Sequence, residues 1–468
     1  MRTVLYKTRS FFSLLWDALL GKESNFVSGN INRTIVLLSA PMVAELFMES
    51  LFVCANLFFI SKAGMNAISI AGATTSVITL CYSVSIGLSI AASAVISRRI
   101  GEKNFEGAGL TAMQVIYLAV PLALLISVLC FVWTTDILHL IGLSPAMIEE
   151  GTSYSRVMFA CSGFLILRIT VNGVFRGAGD ASTAMRTQWL SNGLNIILCP
   201  ILIFGWGIVP AYGLLGVAIA TGVSRMIGVC YQAWHLVKGK TVMKIGREQL
   251  IFHFGIFKKV LNLAMGGTLQ FIIPASSWVF MIKIISYFGE NALEGYILAQ
   301  RVASIATMPA WGIANAAGIL TGQNLGANQP DRAEKSVWRA GIINMGFLII
   351  IAICWFFLAR PVVEIFSNVP EIVNHSITYI NFISMAYVLL GYTMVISRAL
   401  NSAGQVMVVT LLYILMFYVI QIPLSHTLGV TFSLGPNGVF TAILISEIIL
   451  ATAFILIFRK GKWKNKKV

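Results

Sequence analysis

Three polar side chains interrupt an otherwise apolar run early in the chain: Glu45, Glu49 and Asn56. Spaced i, i+4 and i+11, they fall within about 40° of one another on a helix that turns 100° per residue, so they form one polar stripe. Burying a carboxylate disfavours its charged form and raises its proton affinity toward the working pH range. Glu49, near the middle of the run, can therefore exchange a proton, hold Na⁺ or attract a cationic cargo. It can equally be a neutral glutamic acid bonded between helices, or be neutralised by Arg168. That arginine lies deep in a later apolar run, with Asn172 one turn along on the same side. A third polar face carries Asn192, Asn195 and Cys199, just ahead of Pro200.

Other ionisable groups inside apolar runs are functional or paired by default, because a membrane interior penalises them. Arg225 and Glu447 stand near the middle of the sixth and twelfth runs, and suit either cleft lining or pairing within one half. Lys283 and Arg301 lie nearer the ends of theirs. Either they snorkel to the headgroups, or they face a cleft, with Arg301, Met308 and Asn315 on one stripe. An inward Lys283 would be a fixed charge favouring anionic or zwitterionic cargo. Gln270, Asn315 and Trp311 complete the cleft-lining candidates. Trp278, Met281, Met308 and Trp311 read either as an adaptable wall for apolar cargo or as core packing.

The remaining chemistry-bearing residues point away from catalysis. The five histidines are scattered singly, and neither an HExxH metal motif nor a GxxxxGK(S/T) phosphate loop occurs. The seven cysteines fall in or near apolar runs without a CxxC pair and read as small core residues. No nucleophile with a matching base, and no filter-like repeat of four short loops, argues for an intramembrane enzyme or a channel. The expectation is a non-enzyme without a cofactor, the only metal in prospect being Na⁺ near Glu49.

The elements that position these residues are long apolar runs. Of 468 residues 57% are hydrophobic and 11% charged, against roughly 25% charged in a soluble domain. Spans of about 20 residues cross a 30 Å hydrocarbon core, and they are expected near 34–60, 69–97, 110–133, 154–178, 187–207 and 211–235. A second set follows near 259–288, 296–321, 338–359, 376–400, 406–428 and 436–458.

The basic residues alternate between loops. One side gathers Arg98, Arg99 and Lys103, then Arg176 and Arg186, the run Lys238 to Lys259, Arg332, Lys335 and Arg339, Arg398 and the tail; the other gathers Lys62, Arg156 and Arg360. By the positive-inside rule both termini are cytoplasmic, in a cell (inner or plasma) membrane. The bias also accounts for most of the +15 net charge without invoking nucleic acid. The tail around Trp463 is expected to rest on anionic headgroups. The apolar stretch Phe11 to Leu20 is too short to span and is expected to lie along the inner leaflet.

The chain also reads twice. At an offset of 225 residues, Gly64, Gly87, Gly101, Gly179 and Gly213 meet Gly289, Gly312, Gly326, Gly404 and Gly438. Six spans per half start both copies on the same side, as parallel repeats. The fold class is therefore an all-α polytopic membrane protein with twelve transmembrane helices as two parallel six-helix repeats around a central cleft. Its parts are an N-terminal cytoplasmic or interfacial segment (1–33), a first lobe (34–236), a cytoplasmic linker (237–258), a second lobe (259–458) and a basic cytoplasmic tail (459–468). Small residues read as moving hinges kept in both copies, whereas charge is not: Glu49 faces Pro274, Asn56 faces Met281 and Arg168 faces Thr393. Ion chemistry is accordingly expected in the first lobe alone.

Ala40-Pro41 through Phe59-Ile60-Ser61-Lys62-Ala63-Gly64, Arg98-Arg99-Ile100-Gly101-Glu102-Lys103, Val174-Phe175-Arg176-Gly177-Ala178-Gly179-Asp180, Gln323-Asn324-Leu325-Gly326-Ala327 and Ala399-Leu400-Asn401-Ser402-Ala403-Gly404 form a set of motifs. Together they resemble the multidrug and toxic compound extrusion (MATE) family over residues 34 to 458. The resemblance implies two six-helix lobes, alternating access, and export of small amphipathic, often cationic compounds by antiport with H⁺ or Na⁺, acting on a small-molecule substrate within the lipid bilayer as a monomer. One branch of the family carries aspartates where this chain has Asn56 and Cys199. The other carries carboxylates in spans 7 and 10, where this chain offers Gln270, Pro274 and Lys283, and no acid in span 10. Glu49 is left as the best carboxylate. The alternative is a lipid-linked saccharide or lipid-precursor flippase of the same MOP superfamily, kept open by Arg168, Lys283 and Arg301 and opposed by the twelve-span count.

Overall fold

A computed structural model describes residues 11–21, 26–64, 66–238, 242–243 and 245–466. The first half runs α1 (Phe11–Leu20), α2 (Ile31–Ser61), α3 (Ala67–Gly101), α4 (Phe105–Val132), α5 (Thr134–Ile141), α6 (Pro145–Ala160), α7 (Ser162–Gly177), α8 (Ala181–Phe204) and α9 (Leu214–Val237). The second runs α10 (Phe254–Ser286), α11 (Glu290–Thr307), α12 (Ala310–Gly326), α13 (Pro330–Glu364), α14 (Pro370–Ser402), α15 (Val406–Ile414), α16 (Ile422–His426) and α17 (Gly435–Arg459).

Among the described residues eleven stretches are long and apolar enough to cross a membrane, α6 with α7 and α15 with its π-helical continuation to Thr431 each counting once; α11 and α12 supply a twelfth, bent by 48°. The bend falls at Pro309, whose ring removes a backbone donor, whereas its counterpart α3 has Val84 at that position and runs unbroken. Helices of 31 to 35 residues are about 50 Å long at 1.5 Å per residue. They therefore extend beyond the apolar runs that announce them.

In lipid both faces of a span are apolar, so what marks the inward face is size. α12 buries Ala310, Gly312, Ala314, Ala316, Ala317 and Gly318, while α4 and α13 expose Leu124, Leu125, Phe356 and Phe357. Small residues let backbones approach closely, the main source of helix attraction when lipid is as apolar as leucine.

The glycines predicted to be hinges are notches instead. A Cβ on Gly87 would stand 2.6 Å from Thr268 N, and one on Gly312 2.6 Å from Val43 N. These contacts are related by the 225-residue offset and join α3 to α10 and α12 to α2. Gly101 and Gly326 likewise press on the carbonyls of Gln323 and Arg98. None of the four has positive φ, so close approach, not backbone freedom, is what they supply. Gly179 and Gly404 do take the left-handed conformation (φ 89° and 78°) in matching turns, as do Lys103 and Asn328.

The first helix of each repeat also leans on the other repeat. Ile35, Leu38 and Met42 of α2 share the second half's core, and Val260 and Ala264 of α10 share the first half's. Each core thus takes in part of the other half's opening helix.

The C-terminal segment departs from the sequence expectation. Trp463 is 1% exposed, stacks on Phe458 at 4.7 Å and donates its indole N–H to the Phe458 carbonyl. It packs against protein, not headgroups, because an aromatic ring lies within reach directly below it. Lys464 bonds to Asp331 and Glu334 at 3.0 and 2.6 Å, and these two hydrogen bonds raise its pKa above the ordinary lysine value. α1 lies against α2 and α8, with Arg186 donating to Leu20 O; Ala18 is buried and Trp16 exposed. The side chains of Phe11 and Phe12, Arg9 and Lys22 lie outside the described residues. The connection between the halves is docked on α4: Gln114 donates to Ile251 O and accepts from His253 N, and Tyr117 donates to Leu250 O. Of the cysteines, Cys54, Cys230 and Cys354 are exposed, contrary to the core reading, since one face of each span meets lipid.

The notch at Gly326 generates a test. Gly326→Val puts a side chain where the Arg98 carbonyl lies and should part the halves at the end that carries both terminal segments. Thiol labelling of a Ser97→Cys reporter, at a site now fully buried, should rise severalfold; unchanged labelling would show that the notch does not hold this end shut.

Candidate ion-coupling and cargo site

The carboxylates of α2 enter two different environments. Glu45, buried at 2% exposure, is tied to Arg176 by a two-oxygen contact and accepts from Asn172 Nδ2 at 2.9 Å. The positive-inside count groups Arg176 with the cytoplasmic loop cations, at the end of the expected 154–178 span. Its helix α7 continues to Gly177, so the side chain points back into the bundle. A fork-shaped guanidinium meeting a carboxylate with both oxygens fixes orientation as well as charge.

Glu49, one turn further on, meets no cation directly among the described residues. Its Oε2 accepts from Asn192 Nδ2 at 2.8 Å and from Gln188 Nε2. Gln188 accepts in turn from Arg168 Nη1. The expected Glu49–Arg168 pair is thus corrected to a relay, guanidinium to amide to carboxylate, because α8 inserts Gln188 between α2 and α7. Gln188 escaped the sequence reading although a signal existed: it lies one turn before Asn192 on the face that also holds Asn195 and Cys199.

Arg168 and Asn172 are fixed from a further side by Gln232 of α9, which donates to the Arg168 carbonyl at 2.9 Å and to Asn172 Oδ1 at 2.6 Å. Asn195 turns away from Glu49 and donates to Thr221 Oγ1 at 3.0 Å. Asn56 keeps a buried Oδ1 without a protein partner, and Arg225 a buried Nη1.

The second half repeats the frame with neutral groups. Gln270 stands at the position equivalent to Glu45, and Asn401 at that of Arg176. The two exchange a pair of amide hydrogen bonds of 3.0 and 2.8 Å. The same interhelical link is ionic in one half and amide in the other. A carboxylate is nevertheless present: Glu447, with Oε2 buried and unpartnered, lines a cavity of about 230 Å³ with Trp278, Met281, Tyr296, Gln300 and Gln421.

The cleft candidates separate. Asn315 lines a small cavity of about 40 Å³ where α3 and α7 meet α12 and α14. Trp311 flanks it, its ring 4.9 Å from the Arg398 guanidinium. Lys283 and Arg301 are exposed and contribute to none of these cavities. The stripe Arg301–Met308–Asn315 is broken by the 48° bend between α11 and α12: Arg301 is exposed, whereas Asn315 lines the small cavity. Among the described residues no cluster of three or more His, Cys, Asp or Glu forms. Around Glu49 the amides present nitrogen donors, whereas Na⁺ needs oxygen ligands.

The sequence model of the MatE family matches this chain over residues 41–201 and again over 268–427, nearly at the repeat offset. The probable multidrug resistance protein YoeA of Bacillus subtilis (strain 168) is 25% identical, covering 93% of this chain and 95% of its own. The probable multidrug resistance protein NorM of Thermotoga maritima is 24% identical, covering 94% of each. An outward-facing MATE multidrug transporter of the MOP superfamily shares the fold with a TM-score of 0.88 at 24% identity, over 94% of this chain and 98% of that one.

The contrast between the two pairs predicts their energetics. Glu45→Gln strands Arg176 and should cost roughly 3–5 kcal/mol of stability. Glu45→Gln with Arg176→Asn copies the second half's amide pair and should recover roughly 2 kcal/mol through coupling. Glu49→Gln should cost no more than about 1.5 kcal/mol. Denaturant unfolding in micelles reads all three, and equal losses for Glu45→Gln and the double variant would refute the substitution of one link by the other.

Proposed function

We propose, from the premise that this chain belongs to the MatE family, that it is a secondary active transporter exporting small amphipathic compounds by proton antiport with alternating access. The observation that carries the coupling role is the environment of Glu49. It is a membrane carboxylate held only by neutral amides, beside a second carboxylate already committed to an arginine.

Ionised Glu49 accepts two amide N–H bonds. Protonation removes the charge those donors serve and turns one oxygen into a donor. Where the proton sits on Oε2 it displaces the Gln188 N–H, Gln188 reorients, and Arg168 on α7 loses its acceptor. One proton is thereby communicated across α2, α8 and α7, which is the coupling an antiporter requires. Glu45 keeps the helices in register meanwhile. Asn172 and Arg168 belong to the relay, whereas Asn195 and Asn56 flank it.

With both termini cytoplasmic, as the lysine and arginine bias indicates, the closure at Gly101 and Gly326 seals the cytoplasmic end. On this reading the arrangement is a stage of the cycle closed at the cytoplasmic end by these contacts. A monomer suffices for this scheme, since both halves belong to one chain.

In proteoliposomes, an imposed pH gradient should drive export of an amphipathic dye, and Glu49→Gln should lower the driven rate at least tenfold while leaving equilibrium dye binding within about threefold. A rate that follows a Na⁺ gradient and ignores pH would reassign the coupling ion. Indifference to both gradients would remove antiport altogether.

A further inference from the structure

Arg398 of α14 falls at the end of an apolar run and was grouped by sequence with the cytoplasmic loops. In the fold it is 9% exposed, far from the exposed surface expected of a loop cation. Its guanidinium lies 4.9 Å from the ring centroid of Trp311 and 5.7 Å from that of Phe271. It makes no ion pair or hydrogen bond with any described residue, and its Nε is buried without an acceptor. Five N–H donors are thus held in a rigid fork with nothing to receive them.

The surroundings define what would. Arg398 lines the small central cavity together with Arg176, Ser89, Ser93, Asn315 and Asn401. No acidic residue lines it. Arg176 is already neutralised by Glu45, so the cavity retains one uncompensated positive charge among hydroxyl and amide groups. A buried cation without a counter-charge is strongly unfavourable, and aromatic faces offset only part of that cost. The cavity, about 40 Å³, exceeds the 10–15 Å³ or so that one water needs. It suits a planar or tetrahedral acidic group, with any apolar body lying along Trp311 and Phe271.

Position adds the functional content. The lining residues come from α3 and α7 of one half and α12 and α14 of the other, so a group bound here touches both halves. The repeat counterpart of Arg398 is Gly173, so the charge is a feature of the second half alone.

We propose that Arg398 is the anchor for the acidic group of an amphipathic anion, carboxylate, sulfonate or phosphate, bound at the junction of the two halves. This rests on the export reading for its role as a cargo site, but not for its existence as a binding site. It reverses the charge preference that the acidic residues of the first half would imply.

The test uses the full chain in phosphatidylcholine nanodiscs and two radiolabelled probes that share one apolar body, 2-naphthoate and 2-naphthylmethylammonium. Naphthoate should bind at least about tenfold more tightly than the ammonium, and Arg398→Gln should weaken naphthoate by about tenfold or more while leaving the ammonium unaffected. Arg398→Lys should retain part of the affinity, since it keeps the charge and loses the fork; this second variant guards against a glutamine variant that fails to fold. Equal binding of the two probes, or naphthoate affinity unchanged in Arg398→Gln, would overturn the proposal. Displacement of naphthoate by phosphatidylglycerol in the disc would identify a lipid headgroup as the source of the anion; no displacement would identify a free cargo, and both support the anion site. Arg398-dependent naphthoate binding without gradient-driven export of any amphipath would leave the anion site standing and remove the export reading.

Discussion

Inside a bilayer no water is available to receive a charge or a polar group that the protein leaves unmatched. Every ionisable side chain within this bundle is organised by that constraint. Glu45 satisfies it with a guanidinium and an amide. Glu49 satisfies it with amides alone, and only through Gln188 does it reach Arg168. The two carboxylates lie one helical turn apart, yet one is bound by a guanidinium and the other by amides. That difference arises from which neighbouring helix each faces, α7 for Glu45 and α8 for Glu49.

The frame that holds these groups is symmetric where it is made of backbone and asymmetric where it is made of charge. Gly87 and Gly312 approach equivalent residues of α10 and α2 at the same distance, and Gly101 and Gly326 press on each other's helix. Such contacts tolerate no side chain, so duplication preserves them. An interhelical polar link, in contrast, needs only to be satisfied. The Glu45–Arg176 ion pair and the Gln270–Asn401 amide pair both achieve this at equivalent positions. Charge can therefore change between the halves without disturbing the packing: the first half holds the Glu45–Arg176 pair, whereas the second half has an amide pair there and buried, unpartnered atoms on Glu447 and Arg398.

Much of the architecture was legible from periodicity and composition. Twelve apolar runs and the 225-residue repeat correspond to features of the fold. So does the polar stripe of α2, because residues i and i+4 of a helix necessarily share a face. Helix ends were less legible. Arg176 and Arg398 stand near the ends of the expected spans 154–178 and 376–400, inside helices that close at Gly177 and Ser402; the positive-inside count groups them with loop cations because hydrophobicity does not say which way a side chain at a span end turns. Trp463 was misread similarly, since its stacking on Phe458 depends on how the chain turns after α17.

The sequence alone determined that this chain crosses a membrane twelve times in two copies of one pattern, and that its first span carries carboxylates on one face. Those conclusions depend on local spacing and on hydrophobicity, which act within a single helix. Tertiary structure decided the partners: Arg176 for Glu45, Gln188 between Glu49 and Arg168, and none for Arg398. Pairing across helices depends on their rotation and bend, set here by glycine notches and by Pro309. A shift of one residue in either would rotate a side chain by about 100° and select a different partner.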